Sequence, residues 1–181
     1  MKARYVVDTN VLIAASAGDP VAPADIDATP DDPTRRAEVW RWLDEFRASP
    51  SRLVLDFCSE IYDEYCHKLG FNDFGRQVVI EKWSTAAVDD VDLKPNGGGY
   101  DVMPATLTPI IHDLDDRKMV AAAVAATNAH GECPIAFAGD TDWHGWELGL
   151  NAHGLELEPI IRVWSWAKYQ EKLARSARAS P

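Results

Sequence analysis

A short β-branched run, Tyr5-Val6-Val7, stops on Asp8 and is followed at once by Thr9-Asn10-Val11-Leu12. Apolar runs of this length, bounded by helical patterns, read as strands buried on both faces, and that restricts the chain to folds built around a parallel sheet. A carboxylate leaving such a strand is costly to desolvate unless a donor or a cation meets it. Asp8 is therefore the first candidate site residue.

The same grammar recurs downstream. Arg4 to Asp8 is predicted as a strand, followed by a short helix from Asn10 to Ala17. Gly18 to Pro33 holds Pro20, Pro23, Pro30 and Pro33 and reads as a long loop. Thr34 is positioned to cap a helix running to about Ala48, with Val39, Trp42, Leu43 and Phe46 at helical spacing. Ser51 to Leu55 is a second strand, Asp56 caps a helix through Leu69, and another helix spans about Asp73 to Ala87 with Val78, Val79 and Trp83 on one side. Asp89 to Thr108 contains Gly97-Gly98-Gly99 and two prolines, and reads as an irregular insertion with at most short strands. No Gly-x-x-x-x-Gly-Lys-Ser/Thr or Gly-x-Gly-x-x-Gly surrounds the triplet, so it is a turn rather than a phosphate loop. Asp116 to Thr127 is apolar on most sides after Lys118. Pro134 to Ala138 and Leu155 to Glu158 are strands, and Ile161 to about Ala174 is a closing helix. The expected fold is α/β, a three-layer α/β/α sandwich around a mainly parallel sheet, in a single domain over 1–181 with no internal repeat.

Composition narrows the function. The 181 residues are 46% apolar with seven Trp, enough for one sizeable core. No stretch has the apolar length of a membrane span and no signal-peptide pattern opens the chain, so a cytoplasmic location without membrane contact is expected. Cys58, Cys66 and Cys133 form no CxxC and are expected to be buried thiols. With 18 basic and 29 acidic residues the net charge is −11, which disfavours nonspecific coating of nucleic acid and makes any such contact local.

In open parallel sheets, sites gather beyond the carboxyl ends of strands. Asp8 lies there, and so does Asp140 after Ile135-Ala136-Phe137-Ala138-Gly139, with Asp142 two positions on. Taken singly, each is also a good turn former or helix cap. On the helix after Asp56, a wheel at about 100° per residue puts Phe57, Cys58, Ile61, Tyr65 and Leu69 on the apolar face. Glu64 falls at its edge, with Glu60 farther toward solvent. Glu64 is thus the better candidate for a half-buried carboxylate that needs a partner, either a cation or Lys68. Asp113, Asp115 and Asp116 precede the next buried helix. Asp116 starts on its buried side, while Arg117 and Lys118 could touch a phosphate or sit on a solvated face.

The ordered set Val-Val-Asp8-Thr-Asn10, Glu64 in Glu-Ile-Tyr-Asp-Glu-Tyr, Asp116 in Asp-Leu-Asp-Asp-Arg-Lys-Met and Asp140 in Ala-Gly-Asp-Thr-Asp142 resembles the PIN-domain ribonucleases. It is similar in particular to the toxin subunits of VapBC-type toxin–antitoxin systems. The resemblance spans Val6 to Asp142, and His153-Gly154-Leu155-Glu156-Leu157 is similar to the family's last strand. It implies a four- or five-stranded parallel sheet, with Asp8, Glu64, Asp116 and Asp140 around Mg²⁺ or Mn²⁺ and Asp142 as auxiliary ligand. Asn10 would hydrogen-bond near Asp8, and Arg117 and Lys118 would contact substrate. An RNA substrate, an antitoxin partner and a homodimer are the partners it implies. The Pro-rich loop at 18–33 and the insertion at about 89–108 are longer than a minimal toxin needs.

Four acids suit a hard cation that keeps several waters, and such an ion can deprotonate water and stabilise a leaving oxygen in phosphodiester hydrolysis. His67, His112, His130, His144 and His153 lack zinc-site spacing, and His144 is expected on a surface loop. Trp143 and Trp146 are expected to pack in the core or an interface rather than stack on bases. A haloacid-dehalogenase-like phosphatase would need a second Asp where Asn10 stands. A catalytically silent scaffold that binds RNA or protein is the competing reading outside enzymes. Lys168, Lys172, Arg175 and Arg178 near the end could guide RNA, although a solvated helix is the commoner use of such residues.

Overall fold

The first strand stops one residue before Asp8. In a computed structural model that describes residues 1–22 and 26–179, β1 (Arg4–Val7) delivers the chain to Asp8, which caps α1 (Thr9–Ala17). Next come α2 (Pro33–Ala48), β2 (Arg52–Asp56), α3 (Glu60–Lys68), α4 (Phe74–Ser84) and β3 (Val88–Val91). A small hairpin follows, β4 (Pro95–Asn96) with β5 (Gly99–Tyr100), then α5 (Arg117–His130), β6 (Ile135–Phe137), α6 (Trp143–Ala152), β7 (Leu157–Pro159) and α7 (Arg162–Ala179). Five strands pair in the order β3-β2-β1-β6-β7, all parallel, with Tyr5 opposite Leu53 and Val6 opposite Ile135. Helices flank this sheet as the α/β/α sandwich requires, and among the described residues no helix is long and apolar enough to cross a membrane.

The chain first winds outward from β1 through β2 to β3, then returns to lay β6 on the other side of β1. The order therefore reverses between β1 and β6, where the crossovers leave in opposite directions and open a crevice at the strands' carboxyl ends. Asp8 and Asp140 leave the sheet on the two sides of that crevice.

Burial explains why the strands form. Tyr5, Val6 and Val7 are fully buried, and Tyr5 meets Trp42 and Phe46 edge-on with ring centroids 5.3 and 5.8 Å away. Such pairs add about 0.5–1.5 kcal/mol each beyond the area they bury. On the other side α5 packs its Met119-to-Ala123 run, all buried, over β1, β2, β3 and β6. Helices α1 and α4 approach so closely that a Cβ on Gly75 would lie 2.5 Å from the Leu12 carbonyl oxygen, and the Gly75 N–H donates to Ser16 Oγ at 2.8 Å. Only glycine permits that contact.

Several sequence expectations need correction. Asp32, not Thr34, caps α2: its carboxylate accepts from the Thr34 N–H at 2.8 Å, with Pro33 at the first turn. Asp56 ends β2 and caps α3 across a turn, accepting from the Glu60 and Ile61 N–H groups at 2.9 Å each. The helix thus begins at Glu60, so Phe57 and Cys58, expected on its apolar face, are exposed. Cys66 is half-buried and only Cys133 is buried, where the apolar surroundings push its thiol up to about 12. Trp83, expected on the apolar side of its helix, is 48% exposed.

Two elements have no counterpart in the sequence reading. Strand β3 is Val-Asp-Asp-Val, a polar edge. Burial works to raise the Asp89 carboxyl, but hydrogen bonds from Arg52 at 2.6 Å and Arg4 at 3.0 Å outweigh it and hold Asp89 below its usual range. Helix α6 carries Gly145 and Gly149, each unfavourable in a helix by about 1 kcal/mol. At Gly149 a Cβ would sit 2.7 Å from Ile110 Cδ1, so that side chain would have to shift to admit one.

Candidate active site

Asp8 is 5% exposed, and its carboxylate has two donors. The Asn10 N–H reaches Oδ1 at 3.2 Å, as expected of a helix cap, and the Trp143 indole N–H reaches Oδ2 at 3.1 Å. Trp143 is fully buried against Phe137, so it is a core residue whose one polar atom faces the site. Trp146 is buried beside it, as expected.

Asn10 has a second task. Its side-chain Oδ1 accepts the Gly139 N–H at 2.7 Å, tying the start of α1 to the exit of β6. Gly139 is packed so tightly that a Cβ would come within 2.2 Å of the Thr29 carbonyl and 2.6 Å of Asn10 Oδ1. Thr29 belongs to the Pro-rich loop, of which Pro23, Ala24 and Asp25 lie outside the described residues. Arg36 holds the near side of that loop, donating to the Ala28 and Pro30 carbonyls at 2.6 Å each. The loop thus presses on the turn that aims Asp140.

Asp140 accepts the Asp142 N–H at 2.9 Å, an Asx turn that points its other oxygen free of the turn. Asp116 precedes α5 without capping it through its side chain, and no hydrogen bond reaches its carboxylate among the described residues. Glu64 leaves α3 beside the buried Ile61 and Tyr65 and turns inward. Thr9 Oγ1 donates to its Oε1, while Lys118 Nζ lies 2.6 Å from its Oε2 as an ion pair without the angle of a directed hydrogen bond. The partner is therefore Lys118 rather than Lys68.

Asp8, Glu64, Asp116 and Asp140 line one cavity of about 660 Å³, together with Thr9, Asn10, Lys118 and, farther out, Glu60, Asp113 and Asp115. Burial, then the charge of Asp140, pushes the Asp8 carboxyl up to about 7. Burial, then Asp8 and Asp140, pushes Asp116 up to about 8. Asp140 is raised as well, chiefly by burial. These acids crowd one another around one cavity, Asp8 buried and Asp116 and Asp140 half-buried, and a nearby cation would return them to the ionised form.

Whether they suit Mg²⁺ or Mn²⁺ turns on the donor set. The oxygens are hard, and Asp116 has lone pairs that no protein donor fills. Among the described residues no three His, Cys, Asp or Glu side chains form a ready-made ligating cluster, and Glu64 is engaged by Thr9 and Lys118. That arrangement fits an ion that takes one or two carboxylates directly and keeps its waters toward the others. Asp8, Asp116 and Asp140 could hold it, with Glu64 acting from behind Lys118.

Three expected roles look different in place. Arg117 faces the insertion: it donates to the Ile111 carbonyl at 3.0 Å, the Thr108 carbonyl at 2.8 Å and the Gly98 carbonyl, which leaves it no part in the cavity. Asp142 turns away to an ion pair with Lys172 and lines a neighbouring cavity instead. His144, expected on a surface loop, is buried in α6 and bonded to Ser165 Oγ at 2.9 Å, and burial lowers its pKa. Of the two candidates on α3, Glu60 bonds the Tyr100 hydroxyl of the insertion hairpin, so Glu64 is the one that reaches the other acids. Thr9 and the Trp143 indole escaped sequence reading. Thr9 follows Asp8 directly, but nothing in a linear sequence pairs it with Glu64.

No protein-family model matches the chain, no curated protein matches it, and no solved structure matches it.

Proposed function

We propose that this protein is a divalent-metal-dependent endoribonuclease of the PIN type, a VapC-like toxin restrained by an antitoxin. One observation carries the reading: carboxylates from four separate segments, Asp8, Glu64, Asp116 and Asp140, converge on one cavity at the point where the strand order reverses. Coincidental turn formers and caps would not be drawn to a single place. Nor would Asp8, Asp116 and Asp140 be left with raised pKa values and, at Asp116, without a donor among the described residues.

When bound, Mg²⁺ or Mn²⁺ supplies Lewis acidity toward a phosphodiester and makes a water more acidic. The rest falls to the chain's own groups. Asp8 is fixed by the Asn10 N–H and the Trp143 indole, so its carboxylate needs no reorganisation when substrate arrives. Asp140 is aimed by its turn and by Gly139, and Asp116 offers an uncommitted carboxylate for orienting water. Lys118 brings a positive charge to the cavity, where it can meet a phosphate oxygen by exchanging its Glu64 partner. No Ser or Cys nucleophile is needed.

The test is cleavage of a pooled RNA substrate with Mg²⁺ or Mn²⁺, with Asp8→Asn as control. Cleavage by the wild type alone supports the reading, and equal cleavage by both proteins removes the site from consideration. A second reading, a silent RNA- or protein-binding scaffold, draws on the occupied state of Glu64. Inactivity with either metal would favour it. Growth arrest on expression, relieved by a small DNA-binding protein encoded next door, tests the toxin assignment.

A further inference from the structure

The carboxylate cavity does not end at the acids. Asp113 lines both it and a second cavity of about 750 Å³ walled by Pro109, Ile110, His112, Trp146, Tyr169 and Lys172, among others. Lys172 in turn lines a third, smaller groove of about 400 Å³ together with Lys168, Glu171, Arg175 and Ser176. The three cavities therefore adjoin through Asp113 and Lys172, in an order that runs from Asp8 past Tyr169 to α7.

Charge is distributed unevenly along that path. Helix α7 holds Arg162, Lys168, Lys172, Arg175 and Arg178, five of the chain's 18 basic residues, and Glu171 alone of its 29 acidic ones. It is a cationic helix on an acidic body, exposed at every position from Gln170 to Arg178. Lys168, Lys172 and Arg175 recur at four and three residues and so share one face, a row about 10 Å long at 1.5 Å per residue. Asp142 anchors Lys172 at the mouth of the second cavity, while Glu171 accepts a hydrogen bond from Lys168 at 3.1 Å and pairs more distantly with Arg175 at 3.8 Å.

We infer that α7 is the substrate-binding helix: a single-stranded RNA backbone lies along Lys168, Lys172 and Arg175, a base rests on Tyr169, and the strand continues into the carboxylate cavity. This rests on the nuclease reading above for the direction of the path. Phosphates suit the groove because its charges sit in a row with a half-buried aromatic ring at one end, the pairing that sequence-tolerant single-strand binding uses. Gly145 makes room for that ring, since a Cβ there would lie 3.0 Å from the Tyr169 hydroxyl. A protein partner would instead want the exposed apolar residues Val163, Trp166 and Leu173, and none of these lines the three cavities.

The experiment uses the full chain and a fluorescently labelled single-stranded oligoribonucleotide in chelator, where nothing is cut, with anisotropy read across a salt series. Lys168→Glu/Arg175→Glu should weaken binding at least tenfold at low salt. It should also flatten the slope of log affinity against log salt by about 1.4, two contacts at about 0.7 each. Lys168→Gln/Arg175→Gln, with unchanged circular dichroism, should show the same slope change if reversal disturbs the helix. Tyr169→Ala should weaken binding with the slope intact. Wild-type affinity and slope in both charge variants would overturn the inference, even if the protein cleaves RNA. So would loss of a co-purifying protein from the variants with RNA binding unchanged. Binding through α7 without cleavage under Mg²⁺ or Mn²⁺ would sustain the track and remove the nuclease reading alone.

Discussion

Replacing Asp116 by Asn should stabilise the metal-free protein, the reverse of what removing a structural carboxylate does. Asp116 is pushed from 3.8 to about 8 by burial and by Asp8 and Asp140, and no donor meets it among the described residues. In the unfolded chain the group ionises near its ordinary value, whereas the native protein keeps the proton until about pH 8. Between those values the unfolded state has released a proton that the native state still holds, so native stability falls as pH rises through this window. At 1.36 kcal/mol per pH unit, the loss at pH 7 is bounded by ~4 kcal/mol. Asp8 and Asp140 titrate with Asp116 and share the relief, so about half of that, ~2 kcal/mol, is expected for one substitution.

Urea unfolding in chelator at about pH 4.5, 6 and 8 reads this directly. Asp116→Asn should match the wild type at the lowest pH and exceed it by ~3 kcal/mol at pH 8, where the same bound has grown to ~6 kcal/mol, with the m-value unchanged. Added Mg²⁺ or Mn²⁺ should then raise the wild-type midpoint at pH 8 by mass action and leave the variant's almost still. A variant less stable than wild type at pH 8, or a gap that does not vary with pH, would refute the claim that these carboxylates repel one another in the absence of metal.

Other substitutions probe the neighbours. Trp143→Phe removes the indole N–H from Asp8, and carboxyl NMR of the metal-free protein should find Asp8 titrating above about 7, at a stability cost of roughly 1–3 kcal/mol for the smaller ring and the lost bond. Gly139→Ala places a Cβ against the Thr29 carbonyl and should cost about 1–3 kcal/mol in thermal unfolding while disordering the turn that aims Asp140. Lys118→Met leaves Glu64 without its counter-charge and should lower metal-free stability by roughly 1–3 kcal/mol near pH 7, a loss that Mn²⁺ in the same melt should partly restore.

What was legible in the sequence follows the range of each interaction. The parallel sheet and its buried helices announce themselves because strand and helix periods are local: Val6, Val7 and Ile135 repeat the same pattern, and α5 is apolar on most sides. The acids at strand ends were legible for the same reason, since Asp8 and Asp140 break apolar runs. Strand β3 was not, because its Val-Asp-Asp-Val becomes a strand only when Arg4 and Arg52 meet Asp89 from residues 85 and 37 positions away. Helix α6 was hidden by Gly145 and Gly149, poor helix formers that lie close to Tyr169 and Ile110 only in the fold. Arg117 and Asp142, both expected at the site, turned elsewhere, one to the Gly98, Thr108 and Ile111 carbonyls and the other to Lys172.

Those two departures have a common cause. Both the insertion and α7 bring partners that a bare sheet with four acids lacks: carbonyls that need donors, and a lysine that needs a carboxylate. Arg117 ties the insertion down beside the start of α5, and the Tyr100 hydroxyl of that insertion holds Glu60, so the segment shapes the cavity's outer wall without contributing a cation to it. Asp142 does the corresponding work on the other side, fixing Lys172 where the second cavity opens. The insertion and α7 thus leave Asp8 and Asp140 as the strand ends dictate and shape the approach to them. Differences in what such a site accepts would therefore arise at Tyr100, Tyr169 and Lys172, several residues removed from the carboxylates themselves.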